Sequence, residues 1–217
     1  MRASDQSRSK PYDIEIPTGA GALRGILYVP ANPRGAILFA HGSGSSRLST
    51  RNQFVASVLN HAGFATVLFD LLTEREAKSL DKVFDIELLA ERLEDATIWQ
   101  QQQEQFQAMP LGLFGASTGA AAALVAAARM PGTAAAVVSR GGRPDLAMAY
   151  LPRVKAPTLL IVGGSDQDVV DLNRNAVTKL RCEKELFIVP GATHLFPEPG
   201  ALKRVAEKAT EWFTRYL

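Results

Sequence analysis

The segment Leu111 to Met130, LGLFGASTGAAAALVAAARM, constrains the fold more than any other stretch of this chain. Leu111 to Phe114 reads as a buried strand and Ala120 to Arg129 as a helix, with only Gly-Ala-Ser-Thr-Gly between them. A strand can enter a helix over so few residues only through a sharp turn, here with Ser117 at its apex. Gly115 and Gly119 lack the Cβ atoms that would keep the strand and helix apart. The Ser117 hydroxyl is therefore expected at the carboxyl end of the strand, where the helix N-terminus aims its unpaired N–H groups. The alternative without chemistry is a glycine-rich turn in some other α/β protein.

Flanking segments repeat the alternation. Tyr12 to Pro17 and Ala22 to Val29, around a Thr18–Gly21 turn, read as an edge hairpin or meander. Gly35 to Ala40 and Phe64 to Phe69 are unbroken apolar runs, as expected of strands covered on both faces. Between them lies a helix capped by Ser49 or Thr50, with an apolar face of Phe54, Val55, Val58, Leu59 and Ala62. Two such strands around one helix make a parallel βαβ unit. Leu71 to Phe84 is charged and reads as a loop, and Asp85 caps the next helix. The glutamine tract from Gln100 to Gln107 reads as a solvated helix end. Ala134–Val138, Thr158–Val162 and Glu185–Val189 are further strands, with a short helix expected over Asp145–Leu151 and a longer one over Val169–Leu180. Leu202, Val205, Ala206, Ala209, Trp212, Phe213 and Tyr216 stripe a final helix. The pattern predicts a three-layer αβα sandwich over residues 12–217, with a mostly parallel sheet of about eight strands and no large lid. Residues 1–11 read as a disordered tail.

Composition narrows the function classes. Hydrophobic residues make up 47% of the 217, enough for a substantial core. The net charge is +2 with acids and bases interspersed, so neither nucleic acid nor a membrane surface is an expected partner. The single cysteine, Cys182, excludes an internal disulfide and reads as a packed or idle thiol. No h-region follows the first residues, and no run approaches the roughly 18 apolar residues of a membrane span, so a cytoplasmic protein is expected. His41, His61 and His194 are scattered without metal-ligand spacing, so no metal is expected.

Open α/β sheets build their sites at the carboxyl ends of the strands. Four polar tips fall there: His41-Gly-Ser-Gly44, Ser117, Ser165-Asp-Gln-Asp168 and His194. A serine becomes a nucleophile when a base takes its proton, and His194 is the candidate base. Asp166 is the candidate carboxylate to orient that imidazole, ahead of Asp168, which reads as a helix cap. The order serine, aspartate, histidine is the one this kind of elbow predicts. The backbone N–H groups of Ser43 and Thr118 are the candidate oxyanion donors. His41 is expected to orient the loop that it precedes. Arg47, Arg51, Arg140 and Arg143 lie in or just after these loops. One or two would suit a substrate carboxylate, the alternative being pairing with Asp145 or bonding to loop carbonyls.

FAHGSGSS, GLFGASTGAA, TLLIVGGSDQDVV and VPGATHLF together resemble the oxyanion loop, elbow, acid and histidine of the dienelactone-hydrolase-like branch of the α/β-hydrolase superfamily. The resemblance runs from about Tyr12 onward and implies the α/β-hydrolase fold. It also implies a cofactor-free hydrolase acting on small carboxylic esters or lactones through an acyl-enzyme. Dienelactone hydrolase itself carries a cysteine where this chain has Ser117, which favours a general serine esterase. Relatives of this kind sometimes occur fused to a phosphoribosyltransferase domain, and none is recognised in this sequence. Acyl transfer or thioester hydrolysis on the same residues, and a non-catalytic ligand-binding module, are the competing expectations. A monomer or homodimer is expected.

Overall fold

The computed structural model describes residues 10–106 and 108–217. The expected disorder of the first residues, and Gln107 of the glutamine tract, lie outside them; Lys10 and Pro11 are described and adopt no regular structure.

Eight strands form one sheet in the order β1-β2-β4-β3-β5-β6-β7-β8. β1 (Tyr12–Thr18) and β2 (Gly21–Tyr28) make the expected antiparallel hairpin at one edge, and β2 pairs antiparallel with β4 (Ala65–Phe69). β3 (Ala36–Ala40), β4, β5 (Leu111–Ala116), β6 (Ala134–Arg140), β7 (Thr158–Gly163) and β8 (Lys184–Val189) run parallel. β3 to β7 read as nearly continuous apolar runs because helices cover both of their faces.

α1 (Thr50–His61) and α6 (Ala201–Tyr216) pack on one face, where Phe39, Phe64, Phe114 and Phe213 anchor the core. α3 (Ile86–Gln102) and α4 (Thr118–Arg129) pack on the other, joined by Ala176 of α5 (Gln167–Lys179). α4 is buried from Thr118 to Ala128, and seven of its twelve residues are alanine, small enough to pack closely between the sheet and neighbouring helices.

Some local expectations change. Ser49 caps α1, but Phe54 is 41% exposed, and the buried stripe is Asn52, Val55, Ala56 and Leu59. Asn52 takes the inward position because its side-chain oxygen accepts a hydrogen bond from the buried Arg140 guanidinium. The expected loop Leu71–Phe84 contains a 3₁₀ turn, Glu76–Lys78, and a one-turn helix, α2 (Leu80–Val83). Glu76 organises it, accepting from Thr73 N–H and Oγ1, Lys82 Nζ and Arg92 of α3. The expected helix over Asp145–Leu151 is instead a pair of 3₁₀ turns, Pro144–Ala147 and Leu151–Arg153. Asp168 does not cap α5: Asp166 occupies the N-cap position, and Asp168 sits in the first turn.

Candidate active site

β5 delivers Ser117 to the top of the sheet. Ser117 has φ 52° and ψ −119°, a conformation rare for a residue with a side chain. Its neighbours explain how the chain tolerates the turn. A Cβ on Gly115 would lie 2.4 Å from Ala120 Cα, and one on Gly119 would lie 2.3 Å from the Ala40 carbonyl oxygen. Only glycine admits α4 this close to β3 and β5. The Ser117 N–H donates to the Arg140 carbonyl at 3.1 Å, so the end of β6 supports the turn from beside it.

β7 and β8 deliver the other two groups. The loop after β8 crosses the end of β7 so closely that a Cβ on Gly163 would lie 2.4 Å from the Ala192 carbonyl oxygen. The Ser165 N–H donates to that same carbonyl at 2.9 Å, joining the Asp166 loop to the His194 loop. Two anchors then fix His194: the buried Phe196 ring beyond it, and Glu198, which accepts from Thr193 N–H at 3.0 Å and Thr193 Oγ1 at 2.6 Å. His194 Nδ1 lies 2.7 Å from Asp166 Oδ2, and its Nε2 lies 3.4 Å from Ser117 Oγ. A carboxylate can only accept, so Nδ1 carries the proton and Nε2 turns its lone pair toward the serine. The second contact is long for a hydrogen bond, as contacts of this kind often are before substrate arrives.

The candidate oxyanion loop follows β3. His41 bridges two segments: its Nε2 accepts the Leu71 N–H at 3.1 Å, so its Nδ1–H donates to the Gly42 carbonyl at 2.9 Å. Burial pushes the His41 pKa below the usual histidine value, against the Gly42 hydrogen bond and the nearby Asp70 charge, so the ring is neutral. The Gly42–Ser43 peptide is thus held by its carbonyl. It is also held by its N–H, because Ser43 N–H donates to Thr118 Oγ1 at 2.8 Å. The Thr118 N–H opens α4, where no intrahelical acceptor exists. A Cβ on Gly42 would lie 3.0 Å from Ser117 Cβ, so the loop and the nucleophile candidate are in contact.

The structure therefore brings together Ser117, Asp166, His194, Ser43 and Thr118. The arginines divide. Arg47 donates from its N–H and its guanidinium to Asp70, at 2.7 and 2.5 Å. Arg143 makes a two-point contact with Asp145, at 2.9 and 2.7 Å. Arg140 is 6% exposed and, among the described residues, has no carboxylate partner; burial and then the neighbouring Arg51 charge push its pKa down to about 10. Three contacts had no sequence signal: the Thr118 hydroxyl on Ser43, the Glu198 clamp and the Glu76 cluster. Each joins residues through side-chain geometry that spacing does not encode.

Among the described residues, no group of three or more His, Cys, Asp or Glu side chains could hold a metal ion, and no helix is long and apolar enough to cross a membrane. Cys182 is partly buried, its Sγ 3.7 Å from Thr158 Oγ1.

Residues 23–217 match the family model described as the dienelactone hydrolase family. The chain belongs to that family. A crystal structure of a dienelactone hydrolase from Anabaena variabilis is 53% identical, superposes with a TM-score of 0.94, and is covered over 99% of its length by 97% of this chain. A lidless α/β serine hydrolase from Xanthomonas campestris, 20% identical with a TM-score of 0.79, shares the fold over 96% of this chain and 95% of its own. A Mycobacterium tuberculosis protein provisionally named a phosphoribosyl transferase is 56% identical over 205 residues. Those residues are 94% of this chain but 46% of that protein, so the chain spans about half the length of this curated relative. The fold is the α/β-hydrolase fold, and the family is one of hydrolases.

Proposed function

We propose that this protein is a cofactor-free serine hydrolase that cleaves small carboxylic esters or lactones. The observation that carries the reading is the single imidazole lying between Asp166 Oδ2 and Ser117 Oγ. Ser117 Oγ attacks the carbonyl carbon while His194 Nε2 takes its proton, and Asp166 stabilises the imidazolium. The Thr118 and Ser43 N–H groups hold the oxyanion. His194 returns the proton to the departing alcohol, leaving an acyl group on Ser117. Water, deprotonated by the same imidazole, then releases the acid.

Arg47 and Arg143 have their charges met by Asp70 and Asp145. Arg140, beside Arg51, is left as a candidate for a substrate carboxylate. Undiminished turnover of anionic esters by Arg140→Ala would remove it. Phosphoribosyl transfer, the activity in the name of the longer mycobacterial relative, calls for pyrophosphate recognition, and this constellation is suited to acyl chemistry. Acyl transfer to another acceptor remains the competing enzyme reading, distinguished by product analysis with added alcohols or thiols.

The test is p-nitrophenyl acetate turnover by the parent and by Ser117→Ala. The expected loss in kcat is at least about 10³-fold. Equal rates would end the proposal, and binding without turnover or fluorophosphonate labelling would point to a ligand-binding module.

A further inference from the structure

A cleft of about 320 Å³ opens beside the oxyanion loop. His41 to Ser46 form one side; Leu71, Leu72, Ala77, Val83 and Leu89 form an apolar wall opposite. Its lining includes Gly42, the residue in contact with Ser117. We propose that this cleft binds the acyl part of the substrate, and that the preferred substrates are esters of uncharged, apolar acids of medium length. The proposal rests on the serine-hydrolase reading above.

Sheet order supplies the direction. β3 and β4, whose loops make the cleft, lie on one side of β5; β6, β7 and β8 lie on the other. His194 follows β8 and must give its proton to the departing alcohol, so the alcohol lies on the β6–β8 side of the reacting carbon. The acyl group then extends the opposite way, past Gly42 and into the cleft. Ser43 N–H, at the junction, faces the carbonyl between the two.

Size and charge supply the class. At the ~30 Å³ that a water-sized group fills, the cleft admits about ten non-hydrogen atoms, far more than an acetyl group needs. The wall is aliphatic, which favours apolar chains. The lining offers no cation to an anionic acid: its charged residues are Asp70 and Glu74, paired with Arg47 and Arg24 outside it. The wall is held in shape from behind, since Glu76 ties the segment carrying Ala77 and Val83 to Arg92 of α3.

Two substrate series test this, with the parent, Ala77→Trp and Val83→Ala. The first holds p-nitrophenol constant and lengthens the acid from acetate to decanoate. The second holds acetate constant and enlarges the alcohol. In the parent, kcat/KM is expected to rise at least tenfold from acetate to hexanoate or octanoate. Ala77 is exposed, so Ala77→Trp adds bulk to the cleft wall without disturbing the core; it should lower the ratio of hexanoate to acetate kcat/KM at least fivefold. Val83→Ala should move the chain-length optimum upward. Variants that change only the alcohol series would assign the cleft to the leaving group and overturn the proposal, as would a parent that prefers acetate. Either failure leaves acetate turnover and its dependence on Ser117 intact, whereas turnover that survives Ser117→Ala would defeat the underlying hydrolase reading.

Discussion

The hydroxyl of Thr118 accepts the backbone N–H of Ser43 at 2.8 Å, so a proposed oxyanion donor is already occupied in the resting protein. On the proposed function, an ester carbonyl would share or displace that acceptor. The peptide stays oriented either way, because His41 holds its other end.

Replacing Thr118 with valine removes the competing acceptor. Ser43 N–H is then left without a partner until substrate arrives, which should lower stability by about 1–2 kcal/mol. kcat/KM should rise severalfold, and Thr118→Ser should behave like the parent. Chemical denaturation and ester kinetics check both. A fall in kcat/KM would show that the hydroxyl is needed to aim the loop.

His41 is the complementary case. His41→Ala frees the Gly42 carbonyl and the Leu71 N–H together. A misaimed oxyanion donor costs roughly 10²-fold, so kcat should fall about that much with KM little changed. The ring's pKa is lowered in the fold, so the unfolded chain binds a proton more readily than the native one. Stability from this group is therefore present above pH 6.5 and is lost as pH falls toward the native value. Denaturation midpoints of parent and His41→Asn should converge over that range.

Ser117 stores backbone strain at φ 52°. Ser117→Gly should relieve it and raise stability by about 1 kcal/mol while abolishing turnover. A Ser117→Gly protein less stable than Ser117→Ala would show that the turn is not strained.

Glu76 links folding to acid. Burial alone would raise its pKa, but hydrogen bonds from Thr73, Lys82 and Arg92 outweigh that and push it down to about 2. Native affinity for the proton is below that of the unfolded chain, so the contribution is complete above about pH 4.5 and disappears as pH falls toward 2. The shift corresponds to about 3 kcal/mol. Glu76→Gln should lose a similar amount at pH 7, with much of the difference gone by pH 2–3.

Arg140 is a buried cation, disfavoured further by the neighbouring Arg51 charge. Arg140→Met should raise stability by about 1 kcal/mol, the relief of burying a charge outweighing the Asn52 hydrogen bond. A loss above 2 kcal/mol in thermal or urea unfolding would mean that a bound anion compensates it.

The strands of the parallel sheet were legible because burial on both faces leaves a continuous apolar run, as in Ala36–Ala40 and Thr158–Val162. Gly115 and Gly119 were legible because a two-sided backbone contact leaves no chemical alternative. The inward face of α1 was not, since Asn52 is buried for a hydrogen bond to a residue 88 positions away. The short turns around Glu76 were hidden too. A charged residue reads as solvent-facing unless its partners, here Arg92 and Thr73, are known to meet it.

The alanines of α4, four before Leu124 and Val125 and three after, have a mechanical consequence. Methyl groups act as shims between the helix and the strands beneath it, and their thickness sets the height at which the turn carries its hydroxyl. Adding one or two carbons at Ala121 or Ala122 would tilt that platform. The chain would keep its fold yet change the gap between oxygen and imidazole, so on the proposed chemistry these small residues would tune reactivity from beneath the site.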